Sequence, residues 1–161
     1  MDVQSNRSIP LATRTGTEIV NFQDPDLPEG KARDVTELHR KKYPFAVLRR
    51  PPTGQYNCHG LTLASRRTGI YPPSEILDIL REDGYRRIPR LEVQVGDLVV
   101  YFDGRSVEHT AMVVRVEESS ALLGGRAIHV LSKWGQLAEY NHAEAEGPYS
   151  HCKIDYWTDR P

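Results

Sequence analysis

The chain has 161 residues, the length of one ordinary domain, and its 21 Lys and Arg almost balance its 22 Asp and Glu. The net charge of -1 supplies no excess positive field for a phosphate backbone, which argues against a dedicated nucleic-acid binder. The densest apolar run, from Leu98 to Phe102, is far shorter than the roughly 18 residues that a membrane-spanning helix needs, so no membrane span is expected.

Neither the N-terminus nor the cysteine content indicates export. Residues 1–9 contain no apolar block of the kind found in a secretory signal. The two cysteines, Cys58 and Cys152, do not resemble the disulfide framework of a small secreted domain. We expect a cytoplasmic protein, or one exported by a route without a cleavable signal peptide.

The first 33 residues have the composition of an N-terminal arm. Polar residues alternate there with Pro and Gly, and one short strand is predicted from Glu18 to Phe22. Residues 34–161 are expected to form a single domain. That domain opens with a helix over Val35–Lys42, for which Asp34 is the predicted N-cap.

Two further helices are predicted before the chain changes character. The first begins near Asn57, has Cys58 in its first turn and is closed by Gly69. The second has Ser74 as its N-cap and stops before Gly84.

From residue 85 onward the pattern is that of β-structure. Five short runs rich in β-branched and aromatic residues are separated by turn residues. Helices followed by strands predict an α+β domain. The predicted strands are Tyr85–Ile88, Asp97–Phe102, Thr110–Val116, Arg126–Leu131 and Lys153–Trp157.

Cys58 is the candidate nucleophile, because a turn precedes it and an amphipathic helix follows it. A helix N-terminus can lower a thiol pKa, and its unpaired N–H groups can donate to an oxyanion on the carbonyl under attack. Gln55 and Tyr56 are the candidates that would support this oxyanion. The alternative is a small buried core residue, which is the commonest role of a single cysteine.

His109 is the candidate base. It follows a strand and a polar turn and opens the next strand, where it can face the N-terminus of a helix across the edge of the sheet. The alternative is an exposed loop histidine. His59 is a poor base for the thiol beside it, because adjacent helical side chains point in different directions.

A third group would have to orient the imidazole. A hairpin whose loop is centred near Ala121 places position 109 opposite 132 or 133, so the Ser132 hydroxyl is the candidate. His129 and His142 are the alternatives.

Zinc binding is a separate interpretation. Cys58 and His59, together with His151 and Cys152, amount to a tetrahedral set of ligands. Adjacent side chains rarely chelate one ion together, and no paired spacing of two to four residues is present, so no metal site and no cofactor are assigned.

The segment Asn57-Cys58-His59-Gly60-Leu61 resembles the Asp-Cys-Ser-Gly-Leu signature of the NlpC-type, papain-like cysteine peptidases and amidases. The later Gly-Asp-strand segment and the histidine that opens a strand occur in the same order, and the resemblance covers about residues 54–133. It implies a papain-like fold, with N-terminal helices packed on a small antiparallel sheet, and a catalytic pair formed by Cys58 and His109.

Taken together, the residues and the resemblance predict a cysteine-dependent hydrolase or acyltransferase that acts on a peptide, amide or acyl substrate through an acyl-enzyme. The alternative is a catalytically inactive binding or immunity module of the same architecture. A structural zinc domain is the third interpretation.

Overall fold

A computed structural model describes residues 7–120 and 125–161, and an antiparallel sheet dominates it. The described residues contain seven strands, all in this sheet. They are β1 (Val47–Arg50), β2 (Arg86–Ile88), β3 (Leu98–Asp103), β4 (Ser106–Glu118), β5 (Arg126–Lys133), β6 (Glu139–Ala143) and β7 (Lys153–Thr158).

The order of strands in the sheet is β1-β6-β5-β4-β3-β7-β2, and every neighbouring pair is antiparallel. The long strand β4 lies at the centre, with β3 on one side and β5 on the other. Its ladder with β5 contains a register shift between Val113 and Arg115 and ends at the pair Met112 and Leu131. The ladder with β3 continues past that point to Ser106.

Three α-helices precede most of the strands: α1 (Glu29–Lys42), α2 (Cys58–Leu63) and α3 (Pro73–Glu82). The start predicted for α1 is wrong. This helix begins after Pro28, five residues before Asp34, because a proline that precedes a helix needs no amide partner of its own. It contains no buried residue. Helix α2 ends at Leu63 rather than near Gly69, and two residues with positive φ, Ser65 and Arg66, follow it.

The apolar side chains form three clusters, one on each face of the central strands and a third around Trp134, Ala138 and Tyr140. On one face, Val100 and Val107 pack with α3 and with Ile19 of the N-terminal arm. On the other face, Val99 and Tyr101 pack with apolar residues of β4, β5 and β7. This division follows the alternation of side chains along β3, whereas on β4 the register shift opposite Tyr101 and Phe102 places Val107 and Ala111 in different clusters.

The N-terminal arm is part of this packing. Ile19 is buried in the core, and isolated bridges join Ala12 to Glu18 and Phe22 to Gly69. The strand predicted over residues 18–22 is therefore present only as these bridges. Residues 1–6 of the arm, and the hairpin loop predicted around Ala121, lie outside the described residues.

The predicted fold class is wrong. The expectation was a papain-like α+β domain in which N-terminal helices pack on a small sheet, whereas the sheet has seven strands and carries most of the structure. Helices α2 and α3 pack on β4, and α2 is six residues long, while α1 reaches the sheet through the ring of His39 at Trp134 and Tyr140. The sequence patterns missed β1, which is exposed along its whole length, and β6, whose buried residues are partly polar.

The part of the chain that the structure describes holds no helix with the length and apolar character to cross a bilayer.

Candidate active site

The turn that carries Cys58 is fixed by its neighbours Asn57 and Gly60. The Asn57 side chain accepts hydrogen bonds from the N–H groups of Gly60 (2.9 Å) and Ile70 (3.1 Å), and donates to the Ile70 carbonyl (2.7 Å). It therefore caps α2 and ties the helix to the segment that follows it. Gly60 lies so close to that segment that a Cβ atom would come within 1.9 Å of the Thr68 carbonyl oxygen.

The Cys58 sulfur is buried at the start of α2. The residue is 5% exposed, and burial raises the pKa of its thiol to about 11. Backbone N–H groups of Thr110, His59 and Cys58 itself face the sulfur and lower the pKa in part, as does the charge of Lys133. The thiol is thus protonated near neutral pH, although groups that would stabilise a thiolate surround it.

His59 is held in place from the sheet and is not free to act as a base. Its Nδ1 is hydrogen-bonded to the Thr110 hydroxyl at 2.8 Å, and the same hydroxyl contacts that of Thr62 at 2.8 Å. Burial lowers the pKa of His59 to about 4. Its role is to fasten α2 onto β4.

His109 is the most unusual polar side chain in the site. It is fully buried on β4, and neither ring nitrogen has a hydrogen-bond partner among the described residues. Its ring stacks on Tyr149, with centroids 3.8 Å apart and planes 6° apart, and is tilted against Tyr101 at 5.1 Å. Burial, followed by the charges of His59 and His142, holds the pKa of His109 well below 6.5.

Cys58 and His109 meet at the backbone of Thr110. The N–H of Thr110 faces the sulfur, and His109 is the preceding residue on β4. No hydrogen bond joins the thiol to the imidazole. The His109 ring lies on the face of its cross-strand partner Tyr101, and the sulfur lies beside the strand where the ladder to β5 has ended. A His109 nitrogen would have to come within hydrogen-bond distance of the sulfur for the pair to exchange a proton.

Ser132, the predicted orienting group, serves another histidine. Trp134 Nε1 donates to the Ser132 hydroxyl (3.1 Å), which lies 2.7 Å from His142 Nε2. His142 Nδ1 is 2.7 Å from the Ala143 carbonyl, which can only accept, so Nδ1 carries the proton and Nε2 accepts from Ser132. Ser132 and His142 are thus satisfied by each other.

The register explains why Ser132 does not reach His109. The last pair of the ladder between β4 and β5 is Met112 with Leu131. If that register is continued, position 109 lies level with 134 rather than with 132 or 133. A shift of this size moves a side chain to a different place on the partner strand and, when it is odd, to the other face.

The remaining predicted residues have different positions. The Tyr56 hydroxyl donates to the buried Glu139 carboxylate, which also accepts from Arg66, so Tyr56 anchors the segment before Cys58. The Gln55 amide is exposed and reaches only the Arg66 carbonyl, at 3.5 Å. His129 lies in the ladder between β4 and β5, with its Nε2 3.1 Å from a guanidinium nitrogen of Arg115.

Two residues near the sulfur were not predicted from the sequence. Tyr149 covers His109, and a negative charge on Cys58 contributes to raising the Tyr149 pKa after burial itself. Lys133 is completely buried, and its charge also acts on Cys58. The one signal in the sequence was a lysine that directly follows the candidate Ser132, whereas Tyr149 lies in a loop and gave none.

Within residues 7–120 and 125–161, no group of three or more His, Cys, Asp or Glu side chains is arranged to hold a metal ion. The zinc interpretation, which required Cys58, His59, His151 and Cys152 to converge, therefore finds no such arrangement in the described residues.

No family model, no curated protein and no solved structure matches the chain.

Proposed function

We propose that the protein is a cysteine-dependent hydrolase or acyltransferase, in which Cys58 attacks a carbonyl carbon and His109 moves the proton. The observation that carries this proposal is the buried imidazole of His109, whose two nitrogens have no hydrogen-bond partner within residues 7–120 and 125–161, next to the Thr110 N–H that faces the sulfur. A buried imidazole without hydrogen-bond partners destabilises the fold, so its presence here points to a function other than stability. The resemblance of the Asn57–Leu61 segment to the NlpC-type signature supports the same chemistry.

The electrostatics favour a neutral pair. Near pH 7 the Cys58 thiol is protonated and the His109 imidazole is uncharged, because burial opposes the ionised form of both. His109 then acts as a general base during the attack, and no thiolate and imidazolium are formed beforehand.

The reaction would proceed through an acyl-enzyme. The Cys58 sulfur bonds to the carbonyl carbon while His109 takes the thiol proton, and the π electrons of the carbonyl move to its oxygen. The backbone N–H groups of Cys58 and His59, which face the sulfur, would donate to that oxyanion. As the carbonyl re-forms, the bond to the leaving nitrogen or oxygen breaks, and the leaving group takes the proton from His109.

The second half of the reaction restores the enzyme. A water molecule loses a proton to His109 as its oxygen attacks the thioester. The carbon–sulfur bond then breaks, and the sulfur recovers the proton from His109. An amine or alcohol in place of water gives acyl transfer.

Substrate access requires an opening of the site. Tyr149 covers His109 from the loop between β6 and β7, and this loop carries exposed residues on either side of the half-buried ring. Movement of that loop would release the imidazole from its stack and uncover the sulfur in a single step.

A second candidate function, a non-catalytic binding module, is favoured by the same closure. Cys58 is 5% exposed, His109 is fully buried, and no hydrogen bond joins them. In such a module the two residues would serve only as core.

Acylation by an activated ester distinguishes the two candidates. The protein is mixed with p-nitrophenyl acetate, release of nitrophenolate is followed, and the acylated residue is located by mass spectrometry. We expect an acetyl group on Cys58 and a stoichiometric burst of product. We expect Cys58→Ala to abolish the burst and His109→Asn to slow acylation by roughly 100-fold to 10,000-fold, the usual contribution of a general base.

Cys152→Ser is the matched control, since it removes the other thiol and should leave the burst intact. Acetylation of Cys152 but not of Cys58, or an unchanged rate in His109→Asn, would support the non-catalytic module.

A further inference from the structure

Lys133 is a buried cation that the proposed reaction does not yet use. Its side chain is completely buried at the end of β5, and its Nζ donates to the carbonyl oxygens of Thr53 and Gly135, each at 2.6 Å. The ammonium also lies 5.0 Å from the centre of the Tyr56 ring. No carboxylate in the described residues lies within ion-pair distance of it.

Burial of an ammonium without a carboxylate partner costs free energy of folding, and such a position usually holds an apolar residue. Nearby acids compensate it only in part: the charges of Glu139 and Asp26 act on Lys133, but neither carboxylate forms an ion pair with it. The Glu139 carboxylate on the neighbouring strand is engaged by Arg66 at 2.6 Å and by the Tyr56 hydroxyl. The positive charge of Lys133 acts in turn on Asp26 and on the Cys58 sulfur.

The bonds of Lys133 connect it to the segment that delivers Cys58. Thr53, whose carbonyl accepts from the ammonium, lies five residues before the cysteine, and Tyr56 lies two residues before it. The side chain thus joins the end of β5 to the turn that begins α2. The same end of β5 is where its ladder with β4 has stopped, which is the place where the sulfur faces the Thr110 N–H.

We propose that Lys133 is a positioning residue of the Cys58 site, which holds residues 53–57 in place and favours ionisation of the sulfur through its charge. The inference rests on the proposed function, because it assigns Lys133 to the attack step. Since it concerns the reactivity of the thiol, however, it can be tested without a substrate.

Several charged and titratable groups face this pair. Those around Lys133 are Glu139, Asp26 and Tyr56, and Arg66 and Arg50 face Glu139. Those around Cys58 are His59, Tyr71 and Tyr149. His109 precedes Thr110, whose N–H faces the sulfur, on β4. Lys133 is the only cation among the groups that the structure shows acting on the sulfur. Burial lowers the pKa of Lys133 to about 8, so its charge is present near pH 7 and is lost above that value.

This loss of charge distinguishes an electrostatic role from a purely structural one, because only the electrostatic role makes the effect of Lys133 on Cys58 reactivity depend on pH. The rate of Cys58 alkylation by iodoacetamide is measured from pH 6.5 to 10 in the full-length protein, with Cys58 and Cys152 resolved by peptide mass spectrometry. The variants are Lys133→Gln, which keeps an N–H donor but no charge, Lys133→Met, which keeps neither, and Lys133→Arg, which keeps both. Lys41→Met, an exposed lysine of α1, is the matched control.

We expect Lys133→Gln and Lys133→Met to slow Cys58 alkylation about tenfold at pH 7, equivalent to one unit in the thiol pKa. The difference from the native protein should narrow above about pH 8, where native Lys133 loses its own charge. Lys133→Arg should remain within about threefold of native, and Lys41→Met should be unchanged.

A ratio between native and Lys133→Gln that stays constant from pH 6.5 to 10, or a Gln variant that matches the native rate, contradicts the electrostatic role. If Lys133→Met does not fold, the native profile alone decides. If the charge of Lys133 acts on the thiol, the rate of Cys58 alkylation in the native protein rises by less than tenfold per pH unit between about pH 8 and 9. If the charge does not act on the thiol, the rate rises by the same factor per pH unit over the whole range. If the Lys133 variants change Cys58 alkylation as expected but p-nitrophenyl acetate never acylates Cys58, the proposed function is overturned and the role of Lys133 in thiol reactivity stands.

Discussion

Gly60→Ala should destabilise the protein strongly, although alanine is a better helix former than glycine. The added Cβ would lie 1.9 Å from the Thr68 carbonyl oxygen and 2.9 Å from the Tyr56 Cβ, and real Cβ contacts are rarely shorter than 3.0 Å. The obstacle at Thr68 is backbone and cannot rotate away. Helix α2 would have to move by about 1 Å from the segment behind it.

The size of the effect follows from what that movement breaks. Overpacking of a buried site costs typically about 1 to 3 kcal/mol. The two hydrogen bonds between Asn57 and Ile70 span the same gap and contribute about 1 kcal/mol each. Alanine returns up to about 1 kcal/mol of helix propensity. We expect a net loss of about 3 kcal/mol in the free energy of unfolding, or about 6 to 12 °C in Tm for a domain of this size.

Urea denaturation followed by circular dichroism measures this loss. Gly30→Ala is the matched control, because it lies in exposed α1 with nothing within 4 Å of the new Cβ. That control should be neutral or more stable by up to about 1 kcal/mol. A Gly60→Ala protein within about 0.5 kcal/mol of native would refute the close approach that fixes the cysteine turn.

Two other predictions concern access and pH. Tyr149→Ala should speed alkylation of Cys58 about tenfold, because the ring that covers the site is removed, whereas Phe45→Ala, at an exposed position, should not; equal rates in the two variants would exclude Tyr149 as the cover. Burial opposes ionisation of Asp97, but its bonds from Arg160 outweigh that effect and lower its pKa. Asp97→Asn should therefore cost about 2 to 3 kcal/mol in urea unfolding above pH 5, and the difference from native should shrink as the pH falls below about 4; a difference independent of pH would contradict this.

The sequence was informative where a single local rule decides the outcome. The five predicted strands correspond to β2, β3, β4, β5 and β7, because their apolar and β-branched residues face a packed side. Helix α2 begins at Cys58 as predicted, since the Asn57 cap is a local interaction.

The sequence failed where long-range packing decides. Strand β1 has no buried residue and so no alternation to detect, and β6 buries Glu139 and His142, which read as polar loop residues. These two strands widen the sheet beyond the predicted fold class. The partner of Ser132 was missed for a related reason, because the register of β5 against β4 depends on the intervening loop and on the shift between Val113 and Arg115.

The position of the imidazole when the sulfur carries a substrate-like group is the most direct test of the account. A crystal structure of the protein with a peptide aldehyde bonded to Cys58 would contain a hemithioacetal in place of the tetrahedral intermediate. The account predicts that the His109 ring leaves its stack on Tyr149 and brings one nitrogen within about 4 Å of the sulfur. An adduct beside which His109 remains stacked on Tyr149, with neither nitrogen within about 4 Å of the sulfur, would contradict it.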